Sequence, residues 1–188
     1  MANIFIIISV ILALISPLIY AKAILKGEAK PHRTTRLVLL IITTLSTVSL
    51  FFSGDRVAVW LAGVSMVQSI TLFGLTLKHG IGGWSKSDIS CLIMAMIGII
   101  MWQITKQPII ALYFSIGADF VGMIPAIIKT YHRPETEIYQ FFLLDVFAAG
   151  FNLLALKGWT ISQFSYPIYI MIINAFMVLL ILRPKMKS

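Results

Sequence analysis

The sequence predicts an all-α polytopic membrane protein. Seven transmembrane helices form two parallel triple-helix bundles joined by a linker helix (3+1+3), with the N-terminus outside and the C-terminus cytoplasmic. Three observations lead there. Hydrophobic residues fill 59% of the 188 positions and charged residues only 12%, which leaves too little polar surface for a soluble domain. Apolar runs bounded by charges recur along the chain, each long enough to cross a hydrocarbon core at about 1.5 Å per residue. The fifteen Lys and Arg residues fall mostly on alternate connections, as cytoplasmic loops require.

The first span runs from about Asn3 to Leu25. It has no basic leader and continues too long for a signal peptide, so it reads as a span. The second, Thr35 to Phe52, follows the basic connection after Pro31. The turn Gly54-Asp55 leads into the third, Val57 to Leu77. Gly80-Ile-Gly-Gly83 breaks the chain before the fourth, Asp88 to Thr105. The fifth is Pro108 to Thr130, the sixth Glu137 to Leu156, and the seventh Ile161 to Leu182, after Lys157-Gly-Trp159. The short connections leave no room for a soluble catalytic domain.

In this order Lys22, Lys26, Lys30, Arg33, Arg36, Lys78, Lys86, Lys129, Arg133, Arg183, Lys185 and Lys187 share one side. Arg56, Lys106 and Lys157 take the other. That asymmetry sets the orientation and accounts for the net charge of +8 without nucleic acid. The single Cys91 excludes a disulfide framework or a cysteine metal cluster.

Two stretches are alike. Pro17 and Pro125 each interrupt an apolar run, basic residues follow, and Pro31 and Pro134 each precede a new run. The pattern predicts an internal duplication: residues 1–78 as the first triple-helix bundle, 79–107 as the linker, and 108–188 as the second bundle with its basic tail. Parallel repeats of this kind are a transporter plan.

With these features the chain resembles the SWEET and PQ-loop superfamily of small-solute transporters. Ser16-Pro17-Leu18 is similar to the serine-proline-leucine of the first helix in many SWEETs, and Ile124-Pro125-Ala126 stands at the equivalent place in the second half. The family's proline-glutamine pair is absent, since Leu18 and Ala126 follow the prolines. The resemblance implies a 3+1+3 fold and transport by alternating access.

Four polar residues fall at one depth: Gln68, Asp119, Asp145 and Asn174. Each lies roughly 13–17 Å from the cytoplasmic face, near the midplane of a core about 30 Å thick. A carboxylate there costs at least about 2.5 kcal/mol unless it faces the bundle interior or a wet cavity. Gln68 and Asn174 occupy matching places in the two repeats, Val67-Gln-Ser-Ile against Ile173-Asn-Ala-Phe. Their amides suit a neutral polar solute; the plainer reading is an interhelical hydrogen bond. In SWEETs an asparagine pair on the third and seventh helices binds sugar hydroxyls, so the resemblance implies a sugar-binding role for Asn174, with Gln68 opposite. Asp119 and Asp145, whose counterparts are Ile11 and Ile42, are candidates for proton coupling. Pro17 and Pro125 each remove a helical hydrogen bond and are candidate gating hinges.

Trp60, Trp84, Trp102 and Trp159 read as interfacial anchors, and Gly117 and Gly122 as points of close helix approach. His32, His79 and His132 fall on three connections and make no metal motif. The basic connections suit general attraction to anionic lipid. The expected partners are a small polar solute and the lipid bilayer, with no nucleic acid, cofactor or metal. An oligomer is compatible but not required. The expected place is a prokaryotic inner membrane. An enzyme is not expected, because no nucleophile–base pair or phosphate loop appears. The alternatives are a proton-coupled amino-acid or metabolite carrier using Asp119 and Asp145, and a non-transporting receptor on the same fold.

Overall fold

The computed structural model describes residues 2–53, 58–105, 108–156 and 161–183. Within them lie seven α-helices: α1 (Ala2–Leu25), α2 (Arg33–Ser53), α3 (Ala58–His79), α4 (Lys86–Ile104), α5 (Pro108–His132), α6 (Tyr139–Leu154) and α7 (Ile161–Leu182). A 3-10 turn, Pro134–Thr136, separates α5 from α6. Each helix ends within two residues of its predicted span. No β-strand occurs among the described residues; His32 and Ile81 form an isolated parallel bridge. The predicted turns at Gly54-Asp55 and Lys157-Gly-Trp159 lie outside the described residues, as do Arg56, Lys106, Lys185 and Lys187. The same holds for the side chains of Trp60, Trp102, Gln103 and Ser115.

Among the described residues, Ile4–Leu25 and Phe164–Leu182 are long and apolar enough to cross a membrane, while Asp88–Gly98 and Tyr139–Leu154 are apolar but shorter. α6 is the shorter of the two helices because it has 16 residues. The structure therefore supports an all-helical chain with two clear membrane-crossing candidates.

The chain forms two compact units, Met1–Ala29 with Ile127–Ser188, and Lys30–Ala126. One boundary falls between Ala29 and Lys30 and the other inside α5, between Ala126 and Ile127, one residue beyond Pro125. In the first unit α6 packs against both α1 and α7; in the second, α2 packs against α3 and α4.

α1 and α6 run antiparallel in a regular register. Ser9 Oγ donates to Ala148 O at 2.8 Å and Ser16 Oγ to Phe141 O at 3.2 Å. Seven residues forward on α1 are thus seven residues back on α6, two turns of each helix. Phe5 stacks on Phe151 beyond one end of this register, and Tyr20 stacks on Phe141 toward the other. Each buried serine hydroxyl is satisfied by a backbone carbonyl, as an apolar surrounding requires.

In the second unit α5 meets α2 so closely at Gly122 that an added Cβ would lie 2.5 Å from Val38 Cγ1. That glycine makes the close approach expected of it. Gly117 has nothing within 4 Å of an added Cβ, so no such contact explains it.

These pairings relate the units to the duplication. Pro31 and Pro134 are 103 positions apart, which makes Val38 the counterpart of Phe141. Pro17 and Pro125 are 108 apart, which makes Ile124 the counterpart of Ser16. Gly122, two residues from Ile124, faces Val38 as Ser16 faces Phe141. α2 with α3, and α6 with α7, are likewise equivalent pairs. In terms of the repeats the sequence predicts, α1 of the first falls with α6 and α7 of the second, and α2 and α3 of the first with most of α5 of the second. The predicted limits are 1–78, 79–107 and 108–188; the buried serines of α1 are satisfied by α6.

Candidate functional site

The four polar residues predicted at one depth divide two and two. Gln68 on α3 and Asp119 on α5 are half-buried in the second unit. Asp145 on α6 is half-buried and Asn174 on α7 is buried, both in the first. Asn174 Nδ2 donates to Ile170 O at 2.8 Å, one turn back along its own helix. The bond is local, not interhelical, and uses one of the amide's two donors. Both carboxylates are engaged by neighbouring groups. Pro17 and Pro125 lie inside continuous helices, where each deprives the carbonyl four residues earlier of its partner. Pro125 is buried and stands at the unit boundary, whereas Pro17 is half-buried within one unit.

A second polar centre stands at the end of the first unit. Lys129 Nζ donates to Glu137 Oε1, and Tyr20 OH donates to Glu137 Oε2 at 2.6 Å. The Lys129 and Glu137 side chains are 6% and 2% exposed, and Tyr20 is fully buried. Three segments supply them: the last turns of α1, the last turn of α5, and the extended residue after the 3-10 turn. α5 continues to His132, so Lys129 sits on a helix with its amine buried, not on a basic loop. Removing two ions from water is costly, and their mutual attraction offsets that cost only when both are present. Arg183 closes the same end: its Nη2 donates to Tyr131 O at 2.7 Å, and its guanidinium lies 4.3 Å from the centre of the Tyr131 ring.

The second unit ends in a third centre. The backbones of Pro31–Arg33 and Ile81 exchange two hydrogen bonds: Ile81 N to Pro31 O at 3.0 Å and Arg33 N to Ile81 O at 3.2 Å. The buried His32 lies beneath them, its Nε2 3.5 Å from Asp88 Oδ1. Asp88 Oδ2 accepts from Gly83 N at 3.1 Å and Ser85 N at 3.2 Å, and Ser85 Oγ accepts from Asp88 N. The last two bonds form a capping box that starts α4. Gly82 must be glycine on two counts: its φ is +71°, and a Cβ would collide with the His32 ring.

Residue patterns foreshadow these centres unevenly. The Ser85-x-x-Asp88 spacing is a legible capping box. Lys129 and Glu137, eight positions apart around Pro134, look like ordinary loop charges. Nothing in their spacing marks a buried pair, and Tyr20 arrives from more than a hundred residues away.

No family model matches the chain, and no curated protein or solved structure shows significant similarity to it.

Proposed function

We propose that this chain is a small-solute membrane transporter, with seven spans, an outside N-terminus and a cytoplasmic C-terminus. It works by alternating access around a polar pocket near the midplane. The observation that carries the reading is the helix pairing: α1 meets α6 and α5 meets α2 at positions within two residues of correspondence under the predicted repeat. Two like halves are the ground plan of transporters built from parallel repeats. The surface of α1 adds support. Ile4, Ile7, Ile11, Leu14 and Leu18 are all exposed, an apolar face that suits lipid better than water.

In this reading Asn174 and Gln68 offer amides to a sugar or similar polar metabolite. Pro17 and Pro125 act as hinges; the unit boundary one residue beyond Pro125 supports that role for Pro125. Asp119 and Asp145, both half-buried carboxylates, favour a second form of the same reading, in which uptake is coupled to protons.

The test is uptake by purified protein in liposomes, over a panel of sugars and amino acids, with and without a pH gradient. Saturable flux lost in Asn174→Ala is the expected result. Under proton coupling, Asp119→Asn and Asp145→Asn each abolish the response to the gradient; an unchanged response in both removes coupling. Folded protein that moves no solute points to the receptor reading.

A further inference from the structure

The second unit contains a cleft where α2 begins, α3 ends and α4 begins. It is open to the outside and has an accessible volume of about 50 Å³. Its walls are apolar, with Leu37, Phe73, Leu77 and Leu92 among them, and Arg33 and Trp84 also line it. We propose that this cleft binds an anionic phospholipid, with part of an acyl chain along its apolar walls and the phosphate on Arg33.

Charge complementarity argues for that occupant. Arg33 is half-buried, and two of its five N–H groups turn inward: Nη1 to Gly82 O at 3.3 Å and Nη2 to Leu77 O at 3.5 Å. Those contacts aim the guanidinium and leave donors in the planar fork that suits phosphate oxygens. The acid at the cleft, Asp88, offers little opposition. One oxygen accepts two backbone N–H groups, the other faces His32, and the residue is buried. Lys78 and Lys86, both exposed, flank the cleft in sequence and add to its positive field.

Trp84 marks the level of the cleft. It is 75% exposed and holds a φ of +77°, in the left-handed region that disfavours side chains. A large aromatic kept outward in this way is stable where one side is apolar and the other wet, as at a membrane surface. A soluble anion would leave the apolar walls unused, and a neutral lipid would leave the guanidinium unmatched.

The proposal rests on the membrane-embedded part of the reading above and not on transport. Its test uses the full chain with Trp60, Trp102 and Trp159 replaced by Phe, so that Trp84 alone reports. The protein is placed in phosphatidylcholine vesicles carrying a minor fraction of brominated phosphatidylglycerol, or of brominated phosphatidylcholine. Flotation with the vesicles scores insertion, and quenching of Trp84 scores occupancy. The expected result is stronger quenching by the anionic lipid, with a preference that falls about fivefold in Arg33→Gln. Arg33→Lys keeps the charge and most of the preference, which separates charge from folding. Lys106→Gln removes a charge from a connection predicted on the opposite side of the membrane and leaves the preference intact.

Equal quenching by the two lipids in floated protein overturns the proposal while leaving the membrane reading in place. Absence of quenching by either means that protein, such as a second copy, covers the cleft, and overturns it too. Failure to float removes the membrane reading, and the proposal with it.

Discussion

The two units of this molecule are closed by different materials. In the unit of Met1–Ala29 with Ile127–Ser188, side chains do the closing: a carboxylate holds an ammonium and a phenol, all buried. In Lys30–Ala126, backbone does it: Pro31, Arg33 and Ile81 bond through main-chain groups, and the glycine-rich connection folds over His32. Each closure lies beside a proline between two helices, Pro31 in one case and Pro134 in the other. The difference shows which half tolerates change in charge and which tolerates change in size. A side-chain closure depends on a charge balance. A backbone closure depends on the absence of a Cβ.

The largest effect tests the charge balance. Glu137→Leu leaves the Lys129 amine buried without a counter-ion and lowers stability by about 3–5 kcal/mol. Thermal unfolding in detergent measures it, and the double change Lys129→Met with Glu137→Leu recovers most of the loss. If the single change is neutral, the buried pair is not what closes this end. Next comes the backbone closure. Gly82→Ala must take an unfavourable positive φ and displace the His32 ring, at a cost of about 1–3 kcal/mol. A melting temperature equal to the wild type would show that the connection relaxes freely.

A smaller change sharpens the same contrast. Asp88→Ala removes the carboxylate half of the capping box and the contact with His32, and costs about 1 kcal/mol. The smallest expected effect is Ser16→Ala, which deletes one helix-to-helix hydroxyl bond worth about 0.6 kcal/mol in an apolar setting. A loss several times larger would shift the weight of the first unit from its ionic end to the α1–α6 register.

Helix positions were legible because charges and glycines punctuate the apolar runs; Lys86, Gly80 and Pro108 mark real ends. Helix partners were not. A chain apolar on every face has no stripe to say which side turns inward, so depth placed Gln68, Asp119, Asp145 and Asn174 at one level without fixing their neighbours. The close approach at Gly122 was legible in part, since a glycine invites it, but Gly117 carries the same signal and meets nothing. The Lys129–Glu137 pair was hidden for another reason: counting loop charges sorts residues by position along the chain and says nothing of burial. Crossing of a membrane by all seven helices rests on the sequence pattern, because only α1 and α7 contain stretches that satisfy length and apolarity within the described residues.

The pairing of α1 with α6 carries a consequence for how the chain is made. Synthesis delivers α1 first, yet Ser9, Ser16 and Tyr20 find their acceptors at Ala148, Phe141 and Glu137. Every residue of Lys30–Ala126 is joined to the chain before any of those acceptors exists. The middle of the protein is free to assemble early, while its first helix waits with three polar groups unanswered. A chain cut short before Glu137 therefore lacks every acceptor that Ser9, Ser16 and Tyr20 use in the folded protein.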